Sequence, residues 1–156
     1  MLVNYAGMDY TCSVMDTFLS NWQQVLYLNL TRVFEWVRAA LPTMRDLCQG
    51  RIVKVSSDAR KRDLSRWRDC CVSQLGRVAL TPTQAEEKQS NSIRVTEICP
   101  NAVKTSMWNT EKIRAGIDRT QMLMSKIVAQ SIFQISQLPV SATIEELTFV
   151  SNPGVL

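Results

Sequence analysis

The fold is decided by the run GRIVKVSS at residues 50–57. Its β-branched residues predict a β-strand, and Gly50 in front of it predicts the end of a helix. A second strand is predicted by IRVTEI at residues 93–98, with Pro100 closing it. Between the two strands, a helix is predicted from about Cys70 to Glu87. Because a helix between two strands joins them as a βαβ unit, we expect these strands to be parallel.

A long amphipathic helix is predicted upstream of residues 50–57. Ser20 and Gln23 have the spacing of a capping box, which predicts that this helix begins at Ser20. Pro42 lies late in the segment and is expected to kink the helix or to end its regular part. Apolar residues recur with a period near 3.6, which indicates one buried face: Trp22, Val25, Leu26, Val33, Val37, Ala40, Leu41 and Met44.

The two ends of the chain continue this alternation. MLVN at residues 1–4 predicts a short strand, a helix is expected near Met122–Leu138, and EELTFV at residues 145–150 predicts a closing strand. No repeat, low-complexity tract or linker divides the 156 residues. The prediction is one α/β domain over residues 1–156, with four parallel strands and flanking helices.

The composition excludes several kinds of active site. Histidine is absent, so the chain has no Ser-His-Asp or Cys-His nucleophile and no imidazole metal ligand. Its five cysteines show no C-x-x-C spacing, and we expect no metal site. Glycines are too far apart to form a glycine-rich phosphate loop: Gly7, Gly50, Gly76, Gly116 and Gly154.

Charge and hydropathy limit the partners and the compartment. The net charge is +4, and basic residues concentrate at residues 60–68, where aspartates interrupt them. We interpret this segment as a solvated loop and expect no nucleic-acid partner. No run approaches the roughly 20 apolar residues of a membrane span, and the N-terminus lacks signal-peptide features. An odd number of cysteines also argues against a disulfide framework, so a cytoplasmic location is expected.

Five segments resemble, in order, the motifs of the short-chain dehydrogenase/reductase family. LVNYAG at residues 2–7 resembles the family's L-V-N-N-A-G motif, and the long helix that follows resembles the helix after the family's fourth strand. Residues 50–57 resemble its fifth strand, and PNAVKT at residues 100–105 resembles its P-G-x-V-x-T loop. IEEL at residues 144–147 resembles its last strand. The resemblance implies a Rossmann-like sheet that corresponds to strands four to seven, the C-terminal part of the family fold.

The resemblance also implies which residues occupy the catalytic positions. Asn29 matches the structural and proton-relay asparagine, and Ser57 matches the catalytic serine. Cys70 stands at the position of the catalytic tyrosine and Gln74 at that of the lysine. In the family, the lysine lowers the pKa of the tyrosine, which exchanges a proton with the substrate while hydride passes to nicotinamide. We therefore expect a degenerate oxidoreductase homologue with little or no activity.

NAD or NADP is the cofactor that the resemblance implies. The family's glycine-rich turn precedes its fourth strand and has no counterpart in this sequence, which lacks the first third of the family fold, so we expect weak cofactor binding. Tyr5 replaces the second asparagine of the first motif, and Asn101 replaces the loop glycine. Residues that match the nicotinamide side of the site are Asn4, Ala6, Gly7, Pro100, Asn101, Val103 and Thr105.

Other interpretations remain open. The chain can be a non-catalytic module that binds an intact subunit of the family, or an enzyme that uses the thiol of Cys70. Cys70 can equally be a small half-buried hydrophobic residue, Ser57 a turn cap and Asn29 a backbone-bonding residue. Pro82 and Gln84 fall on the helix that commonly forms the family's dimer interface. Homo- or hetero-oligomers with family subunits are therefore possible partners, but these two changes weaken that expectation.

Overall fold

The computed structural model describes residues 1–10, 13–58, 72–80, 92–109 and 118–152. Its main sheet has four parallel strands: β1 (Leu2–Asn4), β2 (Gly50–Val55), β3 (Ile93–Pro100) and, last in the chain, β6 (Glu146–Phe149). These strands lie in the order β1-β2-β3-β6. The expected α/β fold with four parallel strands is confirmed. A two-stranded sheet, β4 (Val103–Lys104) with β5 (Leu123–Met124), was not expected from the sequence.

Helices connect the strands of the main sheet. One continuous helical segment joins β1 to β2 and consists of α1 (Leu19–Leu26), a π-helical turn (Tyr27–Thr31) and α2 (Arg32–Asp46). Residues 72–80 form α3 between β2 and β3, and α4 (Ser125–Gln137) precedes β6. Short 3-10 turns at Ser106–Asn109 and Arg119–Gln121 complete the connections. Across the described ranges, no helix is long and apolar enough to cross a bilayer.

Two details of the first helical segment differ from expectation. The helix begins at Leu19 with Phe18 as its N-cap, and no side chain caps it, so the capping box at Ser20 is wrong. The first turn is exposed, with Leu19 68% exposed, and the helix is held further along, where Val25 is buried. Pro42 lies inside α2, which continues to Asp46, so Pro42 does not end the helix. The irregularity falls instead at the π-helical turn.

Apolar residues cover both faces of the main sheet. On one face, Val53 and Ile98 pack against Val128 and Ile135 of α4. On the other face, Ile52 and Val95 belong to a second cluster with α2. Neighbouring residues of a strand point to opposite faces, which explains why two adjacent residues of β2 enter different clusters. The result is a three-layer α/β/α arrangement. The second cluster is completed by Val37, Met44 and Ile93.

Two arginines anchor the end of α4. Arg51 and Arg94 are register partners on β2 and β3. Arg51 donates to the carbonyl of Leu138 at 2.8 Å, and Arg94 donates to the carbonyl of Pro139 at 2.7 Å. Burial, together with the charge of Arg94, lowers the pKa of Arg51. Carbonyl groups at the C-terminal end of a helix carry partial negative charge. They can therefore stabilise the two neighbouring guanidinium groups against their mutual repulsion.

Several sequence-based predictions lie outside the described residues. These are the basic segment at residues 60–68, both ends of the predicted Cys70–Glu87 helix, and the positions of Pro82 and Gln84.

Candidate active site

A cavity of about 300 Å³ opens at the carboxyl ends of β1, β2 and β3. Ligands of parallel α/β sheets bind at this edge. The cavity brings together Asn29, Ser57 and Gln74, which the sequence analysis assigned to catalytic positions, whereas Cys70 lies outside the described residues. The expected nicotinamide-side residues that line it are Ala6, Gly7, Pro100, Asn101, Val103 and Thr105. Asn4 is buried at the end of β1 but does not line this cavity.

Asn29 is the central polar side chain of the cavity wall. It lies in the π-helical turn and is 1% exposed. Its Oδ1 accepts from the backbone N–H of Met8 at 2.9 Å, and its Nδ2 donates to the carbonyl of Met8 at 2.8 Å and to Oγ of Ser73 at 3.1 Å. A Cβ at Gly7 would lie 3.3 Å from Oδ1, so glycine leaves room for this side chain. Asn29 therefore ties the loop after β1 to α3.

Helix α3 places Gln74 in the cavity. Ser73 is fully buried and Gln74 is 8% exposed. Gly76 brings this helix against the π-helical turn, because a Cβ there would lie 3.0 Å from Cδ2 of Leu30. Within the described part of the chain, Oε1 of Gln74 has no hydrogen-bond partner. The cavity thus contains a neutral amide at the position that the resemblance assigns to lysine.

Asn101 occupies the position that the resemblance assigns to glycine. Positive φ angles in the described non-glycine residues occur at Cys48 and Ser92, so Asn101 does not adopt the left-handed conformation. Its side chain is buried, and its Oδ1 accepts from the N–H of Ala102 at 2.6 Å. Nδ2 is buried and has no hydrogen-bond partner among the described residues. This side chain therefore places an unused, buried N–H donor in the wall of the cavity.

The opposite wall of the cavity is apolar and is held by the small sheet. Trp108 donates its indole N–H to the carbonyl of Val103 at 2.7 Å. Leu123 donates its backbone N–H to the carbonyl of Ala102 at 2.9 Å, which fixes the loop after β3. On the β1 side, burial raises the pKa of Tyr5, so its phenol stays neutral at pH 7.

A buried charged row underlies the cavity and was missed by the sequence analysis. The face of β2 that carries Ile52 continues with Lys54 and, directly after the strand, with Ser56. The facing row on β3 contains Glu97. Lys54 Nζ lies 3.6 Å from Oε2 of Glu97, and Ser56 donates its hydroxyl to Oε1 of Glu97. The signal that could have revealed this row in the sequence is a pair of opposite charges at matching positions of two predicted neighbouring strands. Because the surrounding residues are apolar, the sequence analysis interpreted both segments as ordinary strands.

The helix above this row completes its contacts. Lys54 donates to the carbonyl of Arg77 at 3.1 Å, and Arg77 donates to the carbonyl of Asn4 at 3.0 Å. Burial lowers the pKa of Lys54 to about 8, the carboxylate of Glu97 opposes that decrease, and the guanidinium of Arg77 adds to it. At pH 7 the row therefore still holds a protonated lysine opposite Glu97.

Solved structures of dehydrogenases share this fold. An alcohol dehydrogenase from Thermococcus sibiricus, complexed with 5-hydroxy-NADP, is 20% identical, with a TM-score of 0.83 over 96% of this chain and 62% of that chain. Serine dehydrogenase from Escherichia coli is 19% identical, with a TM-score of 0.81 over 95% of this chain and 62% of that chain. At this level of identity the likeness shows the fold alone.

Sequence comparison carries the assignment further. A 3-oxoacyl-[acyl-carrier-protein] reductase from Synechocystis sp. is 28% identical over 100% of this chain and 64% of its own length. A 3-alpha-(or 20-beta)-hydroxysteroid dehydrogenase from Mycobacterium tuberculosis is 33% identical over 72% of this chain and 44% of its own length. The chain thus spans less than two thirds of these relatives. The family model described as short chain dehydrogenase matches residues 1–115. This chain belongs to the short-chain dehydrogenase family.

Proposed function

We propose that this chain is a degenerate short-chain dehydrogenase that has lost oxidoreductase turnover of its own. The observation that carries the proposal is Gln74, a neutral amide that lines the same cavity as Asn29 and Ser57. An amide cannot supply the positive charge that lowers the pKa of a neighbouring acid. By resemblance, Cys70 also replaces the tyrosine, so neither the family's proton donor nor the lysine that tunes it stands at its position.

The cofactor of this proposal is NAD or NADP, which the family uses. Two proteins of the same fold have been solved as nucleotide complexes, the Thermococcus sibiricus alcohol dehydrogenase with 5-hydroxy-NADP and a closed form of serine dehydrogenase with NADP+. The cavity volume of about 300 Å³ lies at the lower end of the range for drug-sized ligands and is too small for a whole dinucleotide. No glycine-rich turn for a pyrophosphate exists in this sequence. These residues fit the nicotinamide end alone.

The test compares the 156-residue protein with a variant in which the catalytic pair is restored. We expect no oxidation of NADH or NADPH above background with 3-oxoacyl and steroid ketones. Cys70→Tyr with Gln74→Lys is the restored variant, and Ser125→Ala on the exposed start of α4 is the matched control. Because acid–base assistance is worth about 10² to 10⁴ in rate, turnover by the unmodified chain at an ordinary enzyme rate would contradict the proposal.

A second candidate function is a binding module for an intact subunit of the family. It is favoured by the outer side of β1, which pairs with β2 alone among the described strands. A groove of about 470 Å³ lies beside this edge and is lined in part by Val3, Val33 and Trp36. Trp36 is 59% exposed, so the groove presents an aromatic side chain to a partner.

Co-elution with the Synechocystis reductase tests this candidate. Binding would shift both proteins to one earlier elution volume, and Val3→Lys would weaken that shift because it charges the strand edge. Gln23→Ala, an exposed change on α1, is the control. Elution of each protein at its own volume would contradict the candidate. In both candidates we place the chain in the cytoplasm, in keeping with an odd number of cysteines that form no framework.

A further inference from the structure

We propose that the buried row beneath the cavity is a serine acyl-transfer site for small activated carboxylic esters. Ser56 is its nucleophile, Glu97 is the base that takes the serine proton, and Asn101 supplies a donor for the developing oxyanion. Dehydrogenase chemistry uses none of these three side chains in these roles, so this site is independent of the proposed function.

Nucleophile and base are in direct contact. The Ser56 hydroxyl donates to Oε1 of Glu97, which is the arrangement a carboxylate needs to take the proton as the serine attacks. Ser56 is 8% exposed and is one of the residues that line the cavity, whereas Glu97 is 2% exposed and is shielded from water. Shielding strengthens the interaction between the carboxylate and the serine proton.

Lys54 orients the carboxylate of Glu97. Its ammonium group lies 3.6 Å from Oε2 of Glu97, the oxygen that Ser56 does not use. The carbonyl of Arg77 accepts another of its protons at 3.1 Å and fixes its direction. Lys54 thus fixes the position of the Glu97 carboxylate beside the Ser56 hydroxyl. A nucleophile, a base and a third group that orients the base thus form a chain of contacts.

Asn101 supplies the fourth element of the site. Asn101 is one of the residues that line the cavity, and its Nδ2 donor is buried and has no partner among the described residues. The amide is fixed because its Oδ1 accepts from the N–H of Ala102. Ser56 donates its backbone N–H to the carbonyl of Ile98 at 2.8 Å, which joins the ends of β2 and β3 close to Asn101. An unpartnered donor on a residue that lines the same cavity as Ser56 is suited to stabilise negative charge on an ester oxygen.

The reaction balances without a cofactor. Ser56 Oγ bonds to the acyl carbon, its proton passes to Glu97, and the ester C–O bond breaks to release an alkoxide or phenolate. Glu97 is buried and does not line the cavity, so it is not placed to protonate the leaving group, and the substrate class is restricted to esters whose leaving group departs as an anion. In the second step, water adds to the acyl carbon and loses a proton to solvent. The Ser56–acyl bond breaks, and Glu97 returns its proton to Ser56.

An alkyl fluorophosphonate tests the site in the absence of any nucleotide. Attack by Ser56 forms an O–P bond, releases fluoride and leaves a permanent adduct that mass spectrometry can locate. We expect one adduct per chain, and fragmentation should place it on Ser56. Its formation should fall to background in Ser56→Ala and by about 10²-fold in Glu97→Gln, which keeps a hydrogen-bonding group but removes the base. Ser125→Ala, an exposed serine change on α4, should label at the original rate.

Mapping the adduct on the unmodified protein needs no variant, so a misfolded variant leaves the test intact. An adduct on Ser57 or elsewhere, or no adduct at all, would overturn the proposal. Equal labelling of folded Glu97→Gln and the unmodified chain, with folding checked by circular dichroism, would also overturn it. The labelling experiment is independent of NAD(P). A failure to label Ser56 would therefore leave the proposed loss of dehydrogenase turnover in place. Conversely, a finding of dehydrogenase turnover would not affect the acyl-transfer proposal.

Discussion

Lys54 and Glu97 face each other across neighbouring parallel strands, with their charged atoms 3.6 Å apart and both side chains shielded from water. Taking two charges out of water costs free energy that their attraction only partly returns. Substitution of either residue alone is therefore expected to destabilise the fold. Removing one partner leaves the other buried without that partner's charge.

Single and double substitutions at this pair should differ in a defined way. We expect Lys54→Met to lower the free energy of unfolding at pH 7 by about 3–5 kcal/mol, because Glu97 loses its paired cation. Adding Glu97→Gln should recover a large part of that loss, since the second change removes the uncompensated charge. Urea unfolding of the three proteins measures this. A double variant that is less stable than Lys54→Met alone would contradict the explanation.

The lowered pKa of Lys54 predicts a dependence of stability on pH. In the folded chain this pKa is about 8, whereas the ordinary value is 10.5. Between these values the unfolded state binds a proton that the folded state does not, so the free energy of unfolding should rise with pH. Below about pH 8 the contribution of Lys54 is constant. The whole rise is about 3 kcal/mol at most.

Comparison with Lys54→Met isolates this effect from other groups, including Tyr5, whose pKa is raised by burial. We expect the difference in unfolding free energy between the two proteins to change between pH 8 and 10. A difference that stays constant over this range would show that Lys54 titrates normally.

Asn29 should be important for stability whether or not it serves chemistry. Asn29→Ala removes three hydrogen bonds, two with the backbone of Met8 and one with Ser73. We expect the free energy of unfolding to fall by about 2–4 kcal/mol, because polar groups of the loop after β1 lose their partner. Thermal unfolding followed by circular dichroism measures this, with Gln23→Ala on the exposed side of α1 as control. A melting temperature equal to that of the control would contradict this role.

Gly50 and Met44 should show coupled substitution effects. A Cβ at Gly50 would lie 2.7 Å from Sδ and 3.0 Å from Cβ of Met44. Gly50→Ala is therefore expected to cost about 1–3 kcal/mol through overpacking. In a Met44→Ala background the same change should cost much less, because the opposing side chain is gone. A double-mutant cycle built from urea unfolding measures the coupling free energy between the two positions. Additive effects of the two substitutions would contradict the predicted contact.

The main sheet could be predicted because its signals are local. Runs of β-branched residues mark β2 and β3, and the helices between strands imply parallel pairing. The pair β4–β5 could not be predicted in this way, because each strand has two residues and shows no measurable period. The start of α1 was misplaced for another reason. Ser20 and Gln23 have capping-box spacing, but the helix begins one residue earlier without a side-chain cap.

The cavity was predicted only in part. Resemblance to a family located Asn29, Ser57 and Gln74, because their motifs keep their order along the chain. Lys54 and Glu97 were not found, since their importance depends on the register that places them opposite each other. Each of these two strands contains two charged residues, and the sequence does not reveal which of them are buried.

The parallel pairing of all four strands also affects how the chain reaches its native state. No two neighbouring strands can form a local hairpin, and β3 cannot gain its second partner until β6 exists. About 45 residues separate the end of β3 from the start of β6. At a synthesis rate of about 5–20 residues per second, the half-built sheet waits several seconds on the ribosome. Its folding is therefore slow and non-local, and during synthesis its open edge is a natural target for chaperones.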